Sequence, residues 1–203
     1  MILALDTSTA ACTAALFDGT GTCIARKDEI LGRGHAERLV PMIAELLAGR
    51  TADNILVGVG PGSFTGIRVA IAAAHGLAIG WDAPVVGMSS LALLAAAGEA
   101  DGKVAAAMLG GHGELFVQQF DGRSLQPASE LLNAPPTTAA EATGAQLVVG
   151  PGAEQLVEAR GWGEARQSLP AAADAMKLPR ALRQLAPVPL YARAPDARAK
   201  AAA

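Results

Sequence analysis

Residues 58–76 read GVGPGSFTGIRVAIAAAHG. An apolar run from Ile55 to Val59 stops at a glycine–proline turn that opens directly into a long stretch of small and apolar residues. A buried strand feeding a helix across so short a link commits the chain to an α/β arrangement. Gly60 and Gly62 mark places where the backbone turns left-handed or where another segment comes very close. The N–H groups of Ser63 to Gly66 stand at a helix start, where an anion or a polar group binds. No lysine follows in the position of a Walker loop, and the next basic residue, Arg68, lies one turn into the helix. The helix is expected over 65–79, with Gly80 as its stop. One side of it is small (Gly66, Ala70, Ala73, Ala74) and another carries Ile67 and Ile71. Two apolar sides on one helix point to a second burial partner beside the chain's own core.

The rest of the chain supports the same class. Residues 2–6 read as a buried strand ending in Asp6, followed by the turn Thr7-Ser8-Thr9. Residues 12–17 and 22–30 read as two further strands, joined at Asp18-Gly19. A tight hairpin there sets Cys12 opposite about residue 25, so Cys12 and Cys23 do not face each other and read as two small buried thiols. A helix is expected over 35–48, with Leu39, Ile43, Leu46 and Leu47 at helical spacing and Met42 beside them. Pro41 should kink it. A short strand over 85–87 precedes an alanine-rich helix capped by Ser89 or Ser90. The polar, glycine-bearing stretch 98–102 is the expected boundary between an N-terminal unit, 1–99, and a smaller unit, 100–203, with a basic tail. In the second unit strands are expected over 104–109, 114–120 and 146–149. Helices are expected over 153–160 and 171–186, the latter interrupted near Pro179, with loop over 124–145 and an extended stretch over 187–191. The sequence strand, Gly-Pro-Gly, helix at 55–66 has a weak echo at 147–156.

Composition narrows the chemistry. Hydrophobic residues make up 51% and aromatics only 3%, so the core is built from Ala, Val, Leu and Ile. The net charge of −3 argues against a protein that grips nucleic acid alone, and the one basic cluster is the tail, Arg193, Arg198 and Lys200. No apolar run is long enough to span a membrane without a charge or a Gly-Pro turn, which reads as a soluble cytoplasmic protein. His35, His75 and His112 are scattered, no HxxxH or HExxH occurs, and no metal site is expected. No GxSxG occurs either.

Asp6 admits two readings. With Thr7, Ser8, Gly60, Gly62 and Ser63 it occupies the place where actin-like phosphotransferases hold a metal–phosphate group. Those folds use a glycine two residues after the acid, and here that residue is Ser8, whose side chain crowds a phosphate. The other reading is a structural acid capping its own turn.

Taken together, ILALDTSTAACTAAL at 2–16, HAERLVPMI at 35–43, GVGPGSFTGIRVAIAAAHGLA at 58–78, Gly87-Met88-Ser89-Ser90-Leu91 and PLYARAPDAR at 189–198 resemble the TsaB (YeaZ) family. The resemblance implies a two-lobed fold of the actin-like ATPase (ASKHA, ribonuclease H-like) superfamily, with a reduced second lobe. It implies a non-catalytic subunit that forms a heterodimer with a TsaD-like catalytic subunit and helps recruit a TsaE-like ATPase. That complex places threonylcarbamoyl on the tRNA adenosine 3′ of the anticodon. Members also form homodimers through the same surface, and contact with tRNA is indirect or weak. No cofactor, metal or catalytic residue is implied, and the nucleotide site is vestigial. The implied partner surface lies on two helices. On this sequence it comprises His35, Arg38, Leu39, Met42, Ile43 and Leu46 on the first, and Phe64, Ile67, Arg68, Ala70, Ile71, Ala74 and His75 on the second. The alternative within the superfamily is an ATP-dependent phosphotransferase with Asp6 at the metal. One departure stands out: the family's Asp-Ala-Arg-x-x-Glu run reads Leu109-Gly110-Gly111-His112-Gly113-Glu114 here, keeping only Glu114.

Overall fold

The computed structural model describes residues 1–191. The first half builds β1 (Ile2–Asp6), β2 (Ala11–Phe17), β3 (Cys23–Ile30), α1 (His35–Leu47), β4 (Asn54–Gly58), α2 (Phe64–Trp81), β5 (Val85–Met88) and α3 (Ser90–Ala97). The second builds β6 (Lys103–Leu109), β7 (Leu115–Asp121), β8 (Leu132–Ala134), α4 (Pro136–Ala142), β9 (Leu147–Val149), α5 (Ala153–Arg160) and β10 (Glu164–Arg166). The sheets run β3-β2-β1-β4-β5 and β10-β9-β6-β7-β8. In each, the first three strands pair antiparallel, while the fourth and fifth join parallel across helical crossovers. The two halves therefore repeat one topology, in keeping with the two-lobed fold that the resemblance implies. The recurrent Gly-Pro-Gly now has a structural meaning: both copies follow the fourth strand of a sheet and precede the helix after it, β4 to α2 and β9 to α5.

Strand alternation sorts the core into layers. Leu3 and Leu5 point to the α1/α2 side, where they meet Leu39, Met42, Ile43, Ile67 and Ile71. Ala4 and Leu56 point the other way, into a central layer made by α3 and by Met108 and Phe116 of the second sheet. Helix α3 is covered from Ser90 to Ala96, as expected of a helix apolar all round. The outer face of the second sheet packs Ala105, Val117 and Val148 against Ala139 of α4 and Leu156 of α5.

The chain after β10 returns to the first sheet. The Ala172 N–H donates to Thr13 Oγ1 at 2.8 Å, Leu185 exchanges backbone hydrogen bonds with Gly87, and the Leu190 N–H donates to the Val59 carbonyl at 2.8 Å. This covers the outer edge of β5.

Several expectations need correction. The long helix expected over 171–186 is instead two 3-10 turns, Ala172–Lys177 and Arg180–Leu182. Pro179 divides them, and Ala-rich spacing alone does not supply a helical face. The loop expected over 124–145 contains β8 and α4, the latter started by Pro136 in its first turn. Helix α2 runs past Gly80 to Trp81 and ends on Asp82 in a left-handed conformation. The β2–β3 connection is longer than a two-residue hairpin. Asp18 Oδ1 accepts from the Thr20 and Thr22 N–H groups, and a bulge follows, so Cys12 sits opposite Glu29 rather than residue 25. Cys12 is buried, but Cys23 is exposed, and both are free thiols. The basic tail residues Arg193, Arg198 and Lys200 lie outside the described residues.

Candidate functional site

The end of β1, the turn after β4 and the start of α3 meet at Asp6. The carboxylate is fully buried and saturated by its own chain. Oδ1 accepts from the Ser8 N–H at 2.7 Å and from Ser8 Oγ at 2.7 Å, and Oδ2 accepts from Ser90 Oγ at 2.5 Å. Ser90 Oγ in turn accepts from the Gly60 N–H at 3.2 Å, which ties the acid to the Gly-Pro-Gly turn. Burial pushes the Asp6 pKa up, and the hydroxyl and amide donors around it pull it back. A Cβ on Gly58 would lie 1.8 Å from Asp6 Oδ2, so there is no room beside the acid on that side.

The turn itself closes on the same segment. Gly60 and Gly62 have φ of 98° and 149°, where side chains are strongly disfavoured. The Ser63 N–H donates to the Ser8 carbonyl at 2.7 Å, and Ser63 Oγ caps α2 by accepting from the Gly66 N–H at 3.2 Å. Thr7 Oγ1 donates to the Gly66 carbonyl at 2.6 Å. Two of the amides that a phosphate would need are thus taken up inside the fold. Of the proposed nucleotide residues, Ser8 and Ser63 line a cleft of about 630 Å³ between the two sheets, with Arg33, Thr65, Met108 and Pro151. Asp6 lies behind Ser8 and is not part of that lining.

The two helices named for partner binding lie side by side on the first sheet, but the structure changes which of their residues are available. Leu39, Met42, Ile43, Leu46, Ile67, Ala70, Ile71 and Ala74 are all buried in the chain's own core. The small residues of α2 serve that core: a Cβ on Gly66 would lie 1.9 Å from the Thr7 carbonyl oxygen, so glycine there lets α2 seat directly on the β1–β2 turn. Arg38 is only half-exposed, and its guanidinium pairs with Glu29 at 2.5 Å and Glu45 at 2.7 Å. Its pKa rises and that of Glu45 falls to about 2, through these hydrogen bonds, with Lys27 as a further partner of Glu45. His35 is half-buried, with Nε2 3.2 Å from the Ala11 carbonyl oxygen. Phe64, Arg68 and His75 are exposed.

The outward face is composed of other residues. On α1 it presents Ala36, Val40, Pro41 and Ala44; on α2 it presents Thr65, Arg68, Ala72, Gly76 and Ile79. Val40 is 47% exposed, Phe64 46% and Ile79 87%. The spacing 65, 68, 72, 76, 79 is itself a helical stripe. The sequence reading passed over it because alanine and glycine occur on every side of α2. Ser90 was missed for a different reason: Asp6 receives it from 84 residues away, with no local signal. Among the described residues no three His, Cys, Asp or Glu side chains come together in a way that could hold a metal ion.

Comparison with known proteins now adds to this geometry. The family model described as TsaD, tRNA N6-adenosine threonylcarbamoyltransferase, matches residues 27–134. A solved structure titled YeaZ from Pseudomonas aeruginosa is similar over 94% of this chain and 98% of that one, with 31% identity and a TM-score of 0.78. The chain belongs to the TsaB (YeaZ) family. A second structure, described as an uncharacterized protein with similarity to peptidase YEAZ from Pseudomonas aeruginosa, gives 33% identity and a TM-score of 0.81 over 95% of this chain and 99% of that one. Among curated relatives, the tRNA threonylcarbamoyladenosine biosynthesis protein TsaB of Haemophilus influenzae is 46% identical over 102 residues, 47% of this chain. The protein of the same name from Escherichia coli K12 is 42% identical over 100 residues, 46% of this chain. Each of these matches spans 42% of the relative's own length.

In this TsaB-family chain residues 109–114 lie at the tip between β6 and β7. Glu114 accepts from Asn133 Nδ2 at 2.8 Å. That contact ties the tip to β8, and among the described residues Asn133 Oδ1 is buried without a hydrogen-bond partner.

Proposed function

We propose that this chain is a non-catalytic subunit of tRNA threonylcarbamoyladenosine biosynthesis, acting in the cytoplasm as the docking partner of a TsaD-like transferase. The observation that carries this reading is the state of Asp6. A phosphotransferase of this superfamily needs its acid open to the interlobe cleft; here the acid is sealed behind Ser8 and its oxygens are committed to Ser8 and Ser90. The relatives' names supply the pathway. The exposed stripe of α1 and α2 supplies the surface, small enough at Ala72 and Gly76 for a partner helix to come close.

The revised surface is Ala36, Val40, Pro41, Ala44, Ala72, Gly76 and Ile79, with His75 and Arg68 at its rim. The deeper residues named from the resemblance shape the two helices from beneath. A TsaE-like ATPase is expected to join the heterodimer, and self-association through the same stripe is expected in the absence of the catalytic subunit. The two lobes are read as 1–99 and 100–203, with residues 172–190 stitched back onto the first.

Replacement of the exposed Gly76 by Arg tests this. Among the described residues, its own helix backbone aside, no atom lies within 4 Å of a Cβ at that position, so the fold tolerates the side chain while the stripe is blocked. On size exclusion, the wild-type chain is expected to co-elute with the TsaD-like subunit and Gly76→Arg to elute alone. Retained co-elution would remove this face from the account. An Ile71→Glu change would not serve, because Ile71 is core and its loss would unfold the protein.

A further inference from the structure

Strand β3 is the free edge of the first sheet: among the described residues no strand or isolated bridge pairs with its outer side. The Leu31 N–H donates to the Ala10 carbonyl at 2.9 Å, and the register with β2 sets Ala11 opposite Ile30. By antiparallel alternation the backbone groups of Lys27 and Glu29 turn to β2, while those of Arg26, Asp28 and Ile30 turn outward. One face of the strand is tied down, with Lys27 paired to Glu45 and Glu29 to Arg38, both on α1. The other face carries Ile24, Arg26, Asp28 and Ile30, all exposed. Ile30 is 78% exposed and Ile24 44%, so two large apolar side chains stand in water on an open edge, a template for pairing with another chain. Beside Ile30 a groove of about 590 Å³ runs between β3 and Leu169, Pro170 and Ala171. Arg26 lies 4.0 Å from Asp28 and makes no closer ion pair among the described residues.

We infer that two copies of this chain pair antiparallel through β3, about a two-fold axis at Lys27. A two-fold axis normal to the sheet keeps each face on its own side, so residues that meet across it come from the same face. With Lys27 at the axis, Arg26 meets Asp28 of the second copy, Asp28 meets Arg26, and Ile24 meets Ile30. The order Ile-Arg-Asp-Ile is its own complement when reversed. Moving the axis to Arg26 or to Asp28 sets like charges opposite each other, which disfavours those registers. The charges on this edge therefore select one register, where a purely protective edge would carry charges of one sign. In that register the outward N–H and C=O groups of Arg26 lie opposite those of Asp28, as an antiparallel ladder needs. The bulge opposite Phe17 ends the regular run of β3 beside Ala25, so Ile24 contributes by apolar contact with Ile30 at the mouth of the groove. A different protein would have to match this short edge with the same charge order; a second copy already carries it. The joined sheet runs through both copies, with both α1/α2 faces on one side. The inference goes beyond the docking reading, does not rest on it, and is distinct from self-association through the α1/α2 stripe.

Sedimentation velocity of the full chain over a wide range of concentration tests this, with Gly76→Arg as the background that blocks the α1/α2 stripe. Gly76→Arg is expected to form a dimer as concentration rises. Arg26→Asp and Asp28→Arg, each added to that background, are expected to sediment as monomers. An equimolar mixture of the two is expected to dimerise again, because every charge then meets its opposite. Far-ultraviolet circular dichroism checks that both variants fold, since Asp28 accepts from Thr13 Oγ1. The Arg26 side chain is 69% exposed, so Arg26→Asp carries the test where Asp28→Arg does not fold. The register is read separately: in a Cys23→Ser background, Lys27→Cys is expected to give a disulfide-linked dimer on mild oxidation and Glu29→Cys is not. A Gly76→Arg chain that stays monomeric, an Arg26→Asp chain that still dimerises, a mixture of folded variants that stays monomeric, or equal cross-linking at 27 and 29 would each overturn the inference. Binding of Gly76→Arg to the TsaD-like subunit bears only on the docking stripe, so failure of that reading and failure of this one are distinguishable.

Discussion

Replacing Gly66 by Ala puts the seating of α2 to a direct test. In an ordinary helix interior this change stabilises by about 1 kcal/mol, because glycine is the costlier residue there. Here the new methyl carbon would stand 1.9 Å from the Thr7 carbonyl oxygen and 3.1 Å from its carbon. Both are backbone atoms of a turn held by Ser8, Asp6 and Ser63, so neither yields cheaply. Relief requires α2 to lift by roughly 1.5 Å, the shortfall from ordinary van der Waals contact. That lift breaks the 2.6 Å hydrogen bond from Thr7 Oγ1 to the Gly66 carbonyl and leaves a buried hydroxyl unpaired. Overpacking costs about 1–3 kcal/mol, and the lost buried partner about 1–3 kcal/mol more. Set against the helix-propensity gain, the net expectation is a loss of about 1–5 kcal/mol. Gly76→Ala is the control: the same helix, the same substitution, but with nothing within 4 Å of the new carbon. It should gain up to about 1 kcal/mol. Urea denaturation followed by far-ultraviolet circular dichroism reads both values. A Gly66→Ala midpoint equal to or above wild type would refute the close seating of α2 on the β1–β2 turn.

Two further predictions concern pH. Asp6 has a pKa raised by burial, so its folded form holds a proton more tightly than its unfolded form; its contribution to stability falls as pH climbs above 3.8 toward the raised value, and Asp6→Asn should flatten that part of the denaturation profile. Glu45 behaves in the opposite sense. Its pKa falls from 4.5 to about 2, so the stability it contributes is present above 4.5 and lost as pH drops toward 2. Arg38→Ala should shrink this acid limb, as read by thermal melts across that range, and because the pair is exposed the change in melting temperature should be small.

The readable parts of the sequence were those with local causes. The buried run of β1, the alternating run of β2, the cap of α3 (Ser89 of the two serines offered) and the strand–turn–helix at 55–66 all fall where their residues point. The failures have nonlocal or degenerate causes. Residues 172–182 look helical by alanine content, yet their neighbours are Thr13 and the start of α3, which take up their backbone groups in a 3-10 path. The strands β8 and β10 are three residues each and exist because a neighbouring strand is there to pair with. At the site, the sequence singled out both Asp6 and the Gly60–Ser63 turn, and the structure joins them through Ser8 and Ser90. The choice of helix face was not, because α2 is built almost wholly from residues small on all sides. Only the tertiary contacts decide that Gly66, Ala70 and Ala74 face the sheet and Ala72 and Gly76 face outward.

The proposed function requires that the outward face of α1 and α2 be the docking surface and that the Gly60–Ser63 turn bind no nucleotide. Amide hydrogen exchange on the chain alone and mixed with a TsaD-like catalytic subunit reads both regions in one experiment. The account predicts slowed exchange over 36–44 and 68–80 in the mixture, with the Gly60–Ser63 turn unchanged, and no response to Mg-ATP in the isolated chain. Protection confined to the turn and the cleft, or protection of the turn by Mg-ATP alone, would contradict it.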